Sequence, residues 1–240
     1  LMYENENYEY ALQLFRQIED ADIDCDVQNY IGCCLLNLEQ YLQAKKVFET
    51  LCDLNPRWSR PRYNLGRTFM MLNEYDKALQ CFNKAVLINP EDADAYYYLG
   101  VYFEKINNYK NAITNYEKSV SLKPDEFEPH IGLCICYENI GDEQQALTEA
   151  KTAFELFNCN NTLYNYTYFL NKQKKFELSF DLLQEHNVLS GDDTGLLKNL
   201  MYCSEKLNKK QICSDCAKKI SEQYPDDSFA KKIIAEFCSD

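Results

Sequence analysis

Histidine is nearly absent from this chain, with only His130 and His186 in 240 residues. Glycine is scarce too, with seven, and tryptophan occurs once. With so few glycines, mostly committed to helix contacts or turns, no loop is available to cradle a phosphate on successive backbone amides. The patterns G-x-x-x-x-G-K-[ST], G-x-S-x-G and H-E-x-x-H do not occur. Aspartate and glutamate are abundant but scattered, as on a solvated face. These absences argue against an enzyme and against any cofactor or metal. No apolar run approaches the ~20 residues of a membrane-spanning helix. Positive charge is also in deficit, with 25 Lys and Arg against 38 Asp and Glu, a net charge of −13. A binder of nucleic acid or of an anionic membrane needs a dominant basic surface, so neither is the expected partner.

Cysteine, by contrast, is plentiful, with twelve residues. They do not form the dense, short-spaced framework of a small secreted domain. Cys33, Cys34, Cys52, Cys134 and Cys136 fall at helix-packing positions, where a thiol acts as a small apolar group. The expectation is reduced cysteines in a cytoplasmic protein, with the nucleus as an alternative, and not a secreted one. Cys213-x-x-Cys216 has the spacing of half a zinc site or a redox pair. It lies within a helical pattern, with no second pair and no histidine at ligand spacing, so it reads as packing.

The organising feature is a period. Gly32, Gly66 and Gly100 lie 34 residues apart, as do Ala44, Ala78, Ala112 and Ala146. Pro56, Pro90 and Pro124 keep that interval, and so do Tyr41, Tyr75 and Tyr109. A fixed period of this length means stacked units that bury one another's apolar faces. Within one unit, Tyr96, Leu99, Gly100 and Phe103 follow helical spacing. Asn107-Asn108 makes a turn. A second helical stripe, Tyr109, Ala112, Ile113, Tyr116 and Val120, runs to Pro124, which stops it. Pro61 and Pro129 fall in first turns of helices, where the missing N–H costs nothing.

The pattern resembles the tetratricopeptide repeat family over essentially the whole chain. Residues 59–92 carry Leu65, Gly66, Phe69, Tyr75, Ala78, Phe82, Ala85 and Pro90 in the signature columns. Units are expected at 25–58, 59–92, 93–126, 127–160, 160–193 and 194–227, with a partial repeat at 1–24 and a terminal helix at 228–240. The fourth has Cys134 for glycine and Asn158 for proline. A one-residue slip precedes the fifth, a degenerate unit with Phe176 and Ser179 in the Tyr and Ala columns. The resemblance implies one all-α, right-handed superhelical solenoid of helix-turn-helix repeats. Tyr8, Ala11, Phe15 and Ile18 match a second helix, so the chain is read as a fragment of a longer protein. His130 falls in a packing column and is expected in the core. His186 falls at a helix end and is expected in solvent.

In this family the first helices of successive units line a concave face where ligand peptides lie. Positions i, i+4, i+7 and i+11 of a helix share a face. They are Asp26, Tyr30, Cys33 and Asn37, then Arg60, Asn64, Arg67 and Met71, then Asp94, Tyr98, Val101 and Lys105. Arg60 is expected in an ion-pair ladder between Asp26 and Asp94. Arg67, beside Cys33 and Val101, has no neutralising neighbour and is a candidate for a ligand carboxylate or carbonyl. Asn64 lies between Tyr30 and Tyr98, with Tyr63 and Tyr97 on the adjoining edge, and is a candidate reader of a peptide backbone. The tyrosines offer area at low entropic cost. A weaker second patch sets Asn165, Tyr168 and Lys172 beside Asn199, Tyr202 and Lys206, flanked by Tyr164 and Lys198, and is read as locally basic.

One subclass of the family holds the C-terminal carboxylate of chaperone tails through two first-helix Lys and Asn positions, an Asn on the next helix and two cations on the third. Here Asn29 and Cys33 fill the first columns and Asn64 fits. Asp94 and Tyr98 replace the cations, which argues against that role. The expected function is a non-catalytic scaffold that binds an extended segment of a protein partner. The alternatives are a structural spacer or assembly subunit whose groove is filled internally, and a peptide-sensing domain fused to an effector.

Overall fold

The computed structural model describes residues 7–18 and 24–237. Among these residues it contains only helices and their turns: α1 Tyr8–Arg16, α2 Cys25–Asn37, α3 Tyr41–Leu54, α4 Ser59–Met71, α5 Tyr75–Ile88, α6 Ala93–Lys105 and α7 Tyr109–Leu122. Then follow α8 Glu128–Asn139, α9 Glu143–Leu156, α10 Asn160–Lys172 and α11 Phe176–Glu185. A 3₁₀ turn at Val188–Ser190 precedes α12 Thr194–Lys206, α13 Lys210–Gln223 and α14 Ser228–Phe237. Of the partial repeat expected at 1–24, residues 1–6 and 19–23 lie outside the described residues.

The helix starts are written in the sequence. Asp24, Asp92, Asn108, Asp142 and Asp193 each accept a hydrogen bond from an amide of the first turn that follows. That satisfies donors the helix leaves without partners. The turn inside each repeat is equally regular. Glu39, Asn73, Asn107, Gly141, Lys174 and Asn208 all have positive φ, between 55° and 84°. At the first of these, Glu39 N donates to Leu36 O and Gln40 N donates to Leu35 O. Two of the last carbonyls of α2 are thereby paired in a Schellman turn. The same pair of bonds recurs at Asn73, Asn107, Gly141, Lys174 and Asn208. The interval shortens from 34 to 33 between Gly141 and Lys174, which locates the slip.

The chain divides into two compact units, residues 1–124 and 125–240. The core of the first is built on Phe48, Phe82, Leu51, Leu65 and Leu99, with Ala44, Ala78 and Ala85 letting the helices approach. The large ring of each second helix lies over the glycine of its own first helix. Phe48 covers Gly32, Phe82 covers Gly66 and Tyr116 covers Gly100. In the second unit Leu163, Leu183, Leu197, Leu200, Met201 and Ile220 form one apolar cluster and Phe169, Leu170 and Leu147 another. The degenerate repeat has a short α11, and buried Val188 fills the space beyond its end.

The packing cysteines are where the period put them. Cys33, Cys34, Cys52, Cys134 and Cys136 are buried, and Cys213 and Cys216 sit fully buried inside α13. Burial pushes the Cys134, Cys203 and Cys216 thiols up to about 12. His130 is buried and pairs with Glu149 through Nδ1, 2.6 Å from Oε2. His186 departs from its expected solvated position. Its Nδ1 lies 2.8 Å from Leu182 O and its Nε2 about 3 Å from the Asn158 side chain. The ring also stands edge-on to Phe154, so it closes the end of α11.

Candidate functional site

The first unit aligns α2, α4 and α6, and their facing side chains form a connected layer. Asn64, in the middle of α4, is buried. Its Nδ2 donates to Asn29 Oδ1 at 3.2 Å and to Cys33 Sγ at 3.4 Å on α2. Its Oδ1 accepts from Arg67 Nη1 at 3.2 Å. Every polar atom of the amide is thus engaged within the protein. Asn64 is buried and its amide is already engaged, so, contrary to expectation, it does not read a ligand backbone directly. Asn64 instead orients Arg67.

Arg67 is half-buried, and its guanidinium lies over the Tyr98 ring, 4.6 Å from the centroid. It is therefore not bare, as the sequence alone implied. Among the described residues its partners are an amide oxygen and an aromatic face, and no carboxylate pairs with it. Tyr98 is held by its neighbours: it stacks on Tyr63 at 5.3 Å and meets Tyr97 edge-on at 5.0 Å. Tyr63 is buried and donates its hydroxyl to Asp94 at 3.2 Å. Burial, reinforced by Asp94 and Asp92, raises its pKa above the ordinary tyrosine value. Tyr30 remains exposed at its edge and stacks on Phe15 at 5.4 Å.

Arg60 does not form the expected ladder. Asp94 takes Lys123 Nζ at 3.0 Å and the Tyr63 hydroxyl, and no ion pair joins Arg60 to Asp26 or Asp94 among the described residues. Lys123, just past the end of α7 in the same repeat, reaches Asp94 where a lateral comparison of first helices does not look.

Beside Arg67 opens a pocket of about 350 Å³. Leu36, Met70, Met71 and Val101 supply apolar walls, Tyr97 and Tyr98 an aromatic one, and Glu39 a negative edge. The pocket adds Met70, Leu36 and Glu39 to the residues found by the helical stripe. Glu39 was findable as the turn residue that follows α2.

The second patch is real as a juxtaposition and wrong in its charge. Asn199 on α12 is buried and donates to Tyr164 O at 3.1 Å and Thr167 Oγ1 at 2.9 Å on α10. Asn165 donates to Asn161 O within its own helix. Tyr164 stacks on Tyr168, and Tyr202 meets Phe176 edge-on. Lys172 Nζ pairs with Glu138 at 2.8 Å and Glu143 at 3.6 Å, and Tyr168 donates to the same Glu138. The hydrogen bond that Lys172 Nζ donates to Glu138 holds Lys172 above its ordinary value. Lys198 pairs with Asp227 at 2.7 Å and Lys206 with Glu205 at 3.2 Å. Each lysine is neutralised, so the patch is not basic.

Among the described residues no cluster of His, Cys, Asp or Glu has the arrangement of a metal site. No described helix is long and apolar enough to cross a membrane.

A family model described as a TPR repeat matches residues 66–106, and two described as a tetratricopeptide repeat match 93–126 and 27–57. No curated protein matches the chain. A chain of the APC/C hetero-tetramer Cut9-Hcn1 is similar at 15% identity with a TM-score of 0.74, over 99% of this chain and 48% of that one. This chain therefore spans about half the length of that relative. PilF of Pseudomonas aeruginosa is similar at 15% identity and a TM-score of 0.77, over 88% of this chain and 97% of its own. MamA of Desulfovibrio magneticus RS-1 shares 26% identity with a TM-score of 0.50, over 65% of this chain and 88% of its own.

Proposed function

From the premise that this chain is a tetratricopeptide-repeat protein, we propose that it is a non-catalytic scaffold that binds an extended segment of a protein partner along the first helices of residues 25–124. The scaffold role follows from the fold. The location rests on one observation: the pocket at Arg67 joins apolar walls to a guanidinium that no carboxylate neutralises among the described residues. An extended segment suits it, because alternate side chains can enter such a pocket while the backbone offers carbonyls to the fork. Tyr30, Tyr63, Tyr97 and Tyr98 belong to the binding face, with Tyr63 and Asn64 acting from behind it. Arg60 stands at the groove's entrance. The residues of the second patch brace the fold and contribute to binding only through the exposed rings of Tyr164 and Tyr202. The acidic surface and the thiol-rich core fit a cytoplasmic or nuclear protein that binds neither nucleic acid nor membrane.

The test is a comparison of surfaces. A partner recovered with this chain is measured against Arg67→Ala and Met71→Asp in the groove and against Leu87→Asp, whose side chain is exposed on α5. Arg67→Ala removes a charge-assisted hydrogen bond of about 1.5–3 kcal/mol, which is roughly tenfold or more in affinity. Arg60→Ala has a smaller effect. Binding that ignores both groove changes and is lost with Leu87→Asp moves the interface to the second helices and ends this reading.

A further inference from the structure

We infer that the Arg67 pocket selects, within the bound segment, one internal acidic side chain next to a bulky apolar residue. The inference rests on the groove reading above and specifies the partner's chemistry.

Three observations carry it. First, the guanidinium is set before any ligand arrives. The Tyr98 ring holds its plane and Asn64 Oδ1 holds one nitrogen. Asn64 is itself fixed by Asn29 and Cys33. A guanidinium carries five N–H donors in a planar fork that matches a carboxylate, and one bond to Asn64 leaves most of them available. Second, Arg67 stands apart from the cations of the second patch. Lys172, Lys198 and Lys206 each meet a carboxylate within 3.2 Å, and Arg67 meets none among the described residues.

Third, the pocket limits the number of negative charges. Glu39 lines it, at the C-terminal end of α2 where helix carbonyls add partial negative charge. The whole chain carries −13. A run of acidic residues is repelled there, whereas a single carboxylate on the Arg67 side is not. The remaining walls, Leu36, Met70, Met71 and Val101, suit a bulky apolar neighbour, and methionine adapts to its shape. A lone cation does not replace the several that a chain-terminal carboxylate clamp uses, and Asp94 lies on the same helix as Tyr98. The acidic group is therefore a side chain.

The experiment is a selection of random dodecapeptides displayed on phage, fused through their C-termini so that none ends in a free carboxylate. The bait is the full chain. The expected binders share one Asp or Glu beside Leu, Met or Phe. A synthetic, amidated copy loses about tenfold in affinity when its Glu becomes Gln. The same loss appears with the Arg67→Gln protein, and the two losses do not add. Because the peptide-side change leaves the protein intact, the result does not depend on the variant's folding. Binders that are lost with Met71→Asp but indifferent to their own acidic residue and to Arg67→Gln overturn the inference and leave the groove reading standing. Binders indifferent to both protein changes, or no enriched sequence at all, overturn both.

Discussion

Gly66 and Phe82 occupy one another's space: a Cβ built on Gly66 would lie 2.7 Å from Phe82 Cε1. The two residues are 16 apart, one on each helix of a repeat. Gly32 with Phe48 and Gly100 with Tyr116 repeat the relationship, each at 2.6 Å. At the same spacing the second unit carries Cys134 with Ala150, Thr167 with Leu183 and Met201 with Ala217, all six fully buried. The large member is on the second helix at 48, 82, 116 and 183 and on the first at 201, and Cys134 with Ala150 has none.

The first prediction is that the two members of a pair share one packing space. Gly66→Leu overpacks the helix contact and costs roughly 1–3 kcal/mol or more, lowering the thermal midpoint. Phe82→Ala alone leaves a cavity worth about 3–5 kcal/mol. Gly66→Cys combined with Phe82→Ala, the pair found at 134 and 150, loses less than the sum of its single changes by about 1 kcal/mol or more. Additive losses in denaturant melts of the four proteins would show that the two positions do not share a cavity.

A second prediction concerns the repeat turns. Lys174 holds φ 60°, where a side chain costs about 1–2 kcal/mol and glycine nothing. Part of that gain is offset by the larger unfolded-state entropy of glycine. Lys174→Gly therefore stabilises by about 0.5–1 kcal/mol, and Gly141→Ala, at φ 84°, destabilises by a similar amount or more. Paired thermal melts decide it, and a lower midpoint for Lys174→Gly would contradict the turn geometry.

The fold was legible because its determinants lie on near neighbours. Gly66, Ala78 and Pro90 each specify a local event, a close approach or a stop, and the 34-residue interval repeats it. The site was legible only as a face. That Arg60, Asn64 and Arg67 share a stripe follows from helical spacing. That Asn64 turns inward to Asn29 and Cys33 depends on side-chain length and on the polar atoms within its reach, which spacing does not encode. The neutralising partners of Lys172 were readable in principle, since Glu138 lies 34 residues earlier. The register slip between Gly141 and Lys174 hides the pairing, because it falls between the repeat of Glu138 and that of Lys172.

Thiol titration gives the third prediction. Burial pushes Cys34 and Cys81 from 9.0 to about 11, and Cys134, Cys203 and Cys216 to about 12. Well below pH 9 these thiols are neutral in both folded and unfolded chains. Between pH 9 and about 12 the unfolded chain has released protons that the folded chain still holds. Folded protein then binds more protons than unfolded, and stability falls as pH rises. Urea midpoints should be flat from pH 7 to about 8 and decline steeply from 9 to 11. Replacing Cys134 by Ala or Ser should shallow that decline, and an unchanged slope would count against the buried thiols as its source.

The same burial predicts which cysteines react. The thiolate is the nucleophile, and a buried neutral thiol is inert. Among the described residues Cys25 and Cys159 are partly exposed and the other nine are buried. Brief treatment of native protein with N-ethylmaleimide, followed by peptide mapping, should label Cys25 and Cys159 and spare Cys213 and Cys216 until denaturant is added. Rapid native labelling of the Cys213 and Cys216 pair would mean that α13 opens easily, against its place in the core.

The last prediction concerns Asp227, which does two jobs at the start of α14. Its Oδ1 accepts from Ala230 N at 2.9 Å and Phe229 N at 3.1 Å, and its Oδ2 pairs with Lys198 at 2.7 Å. The hydrogen bond from Lys198, with the amide of Ala230, holds its carboxyl below the ordinary aspartate value. Removing the side chain deprives α14 of its cap, at a cost of about 0.5–2 kcal/mol. Removing Lys198, whose side chain is about half exposed, deletes only a screened ion pair worth roughly 0–1 kcal/mol. In a repeat array each helix is held mainly by its neighbours, so the damage stays local. Hydrogen exchange should therefore quicken in α14 for Asp227→Ala, with α2 to α7 unchanged, and only slightly for Lys198→Ala. Acidification through the depressed aspartate value should reproduce the fraying, because the carboxylate that caps the helix is lost as it protonates. Equal effects of the two substitutions would assign the stabilisation to the ion pair and not to the cap.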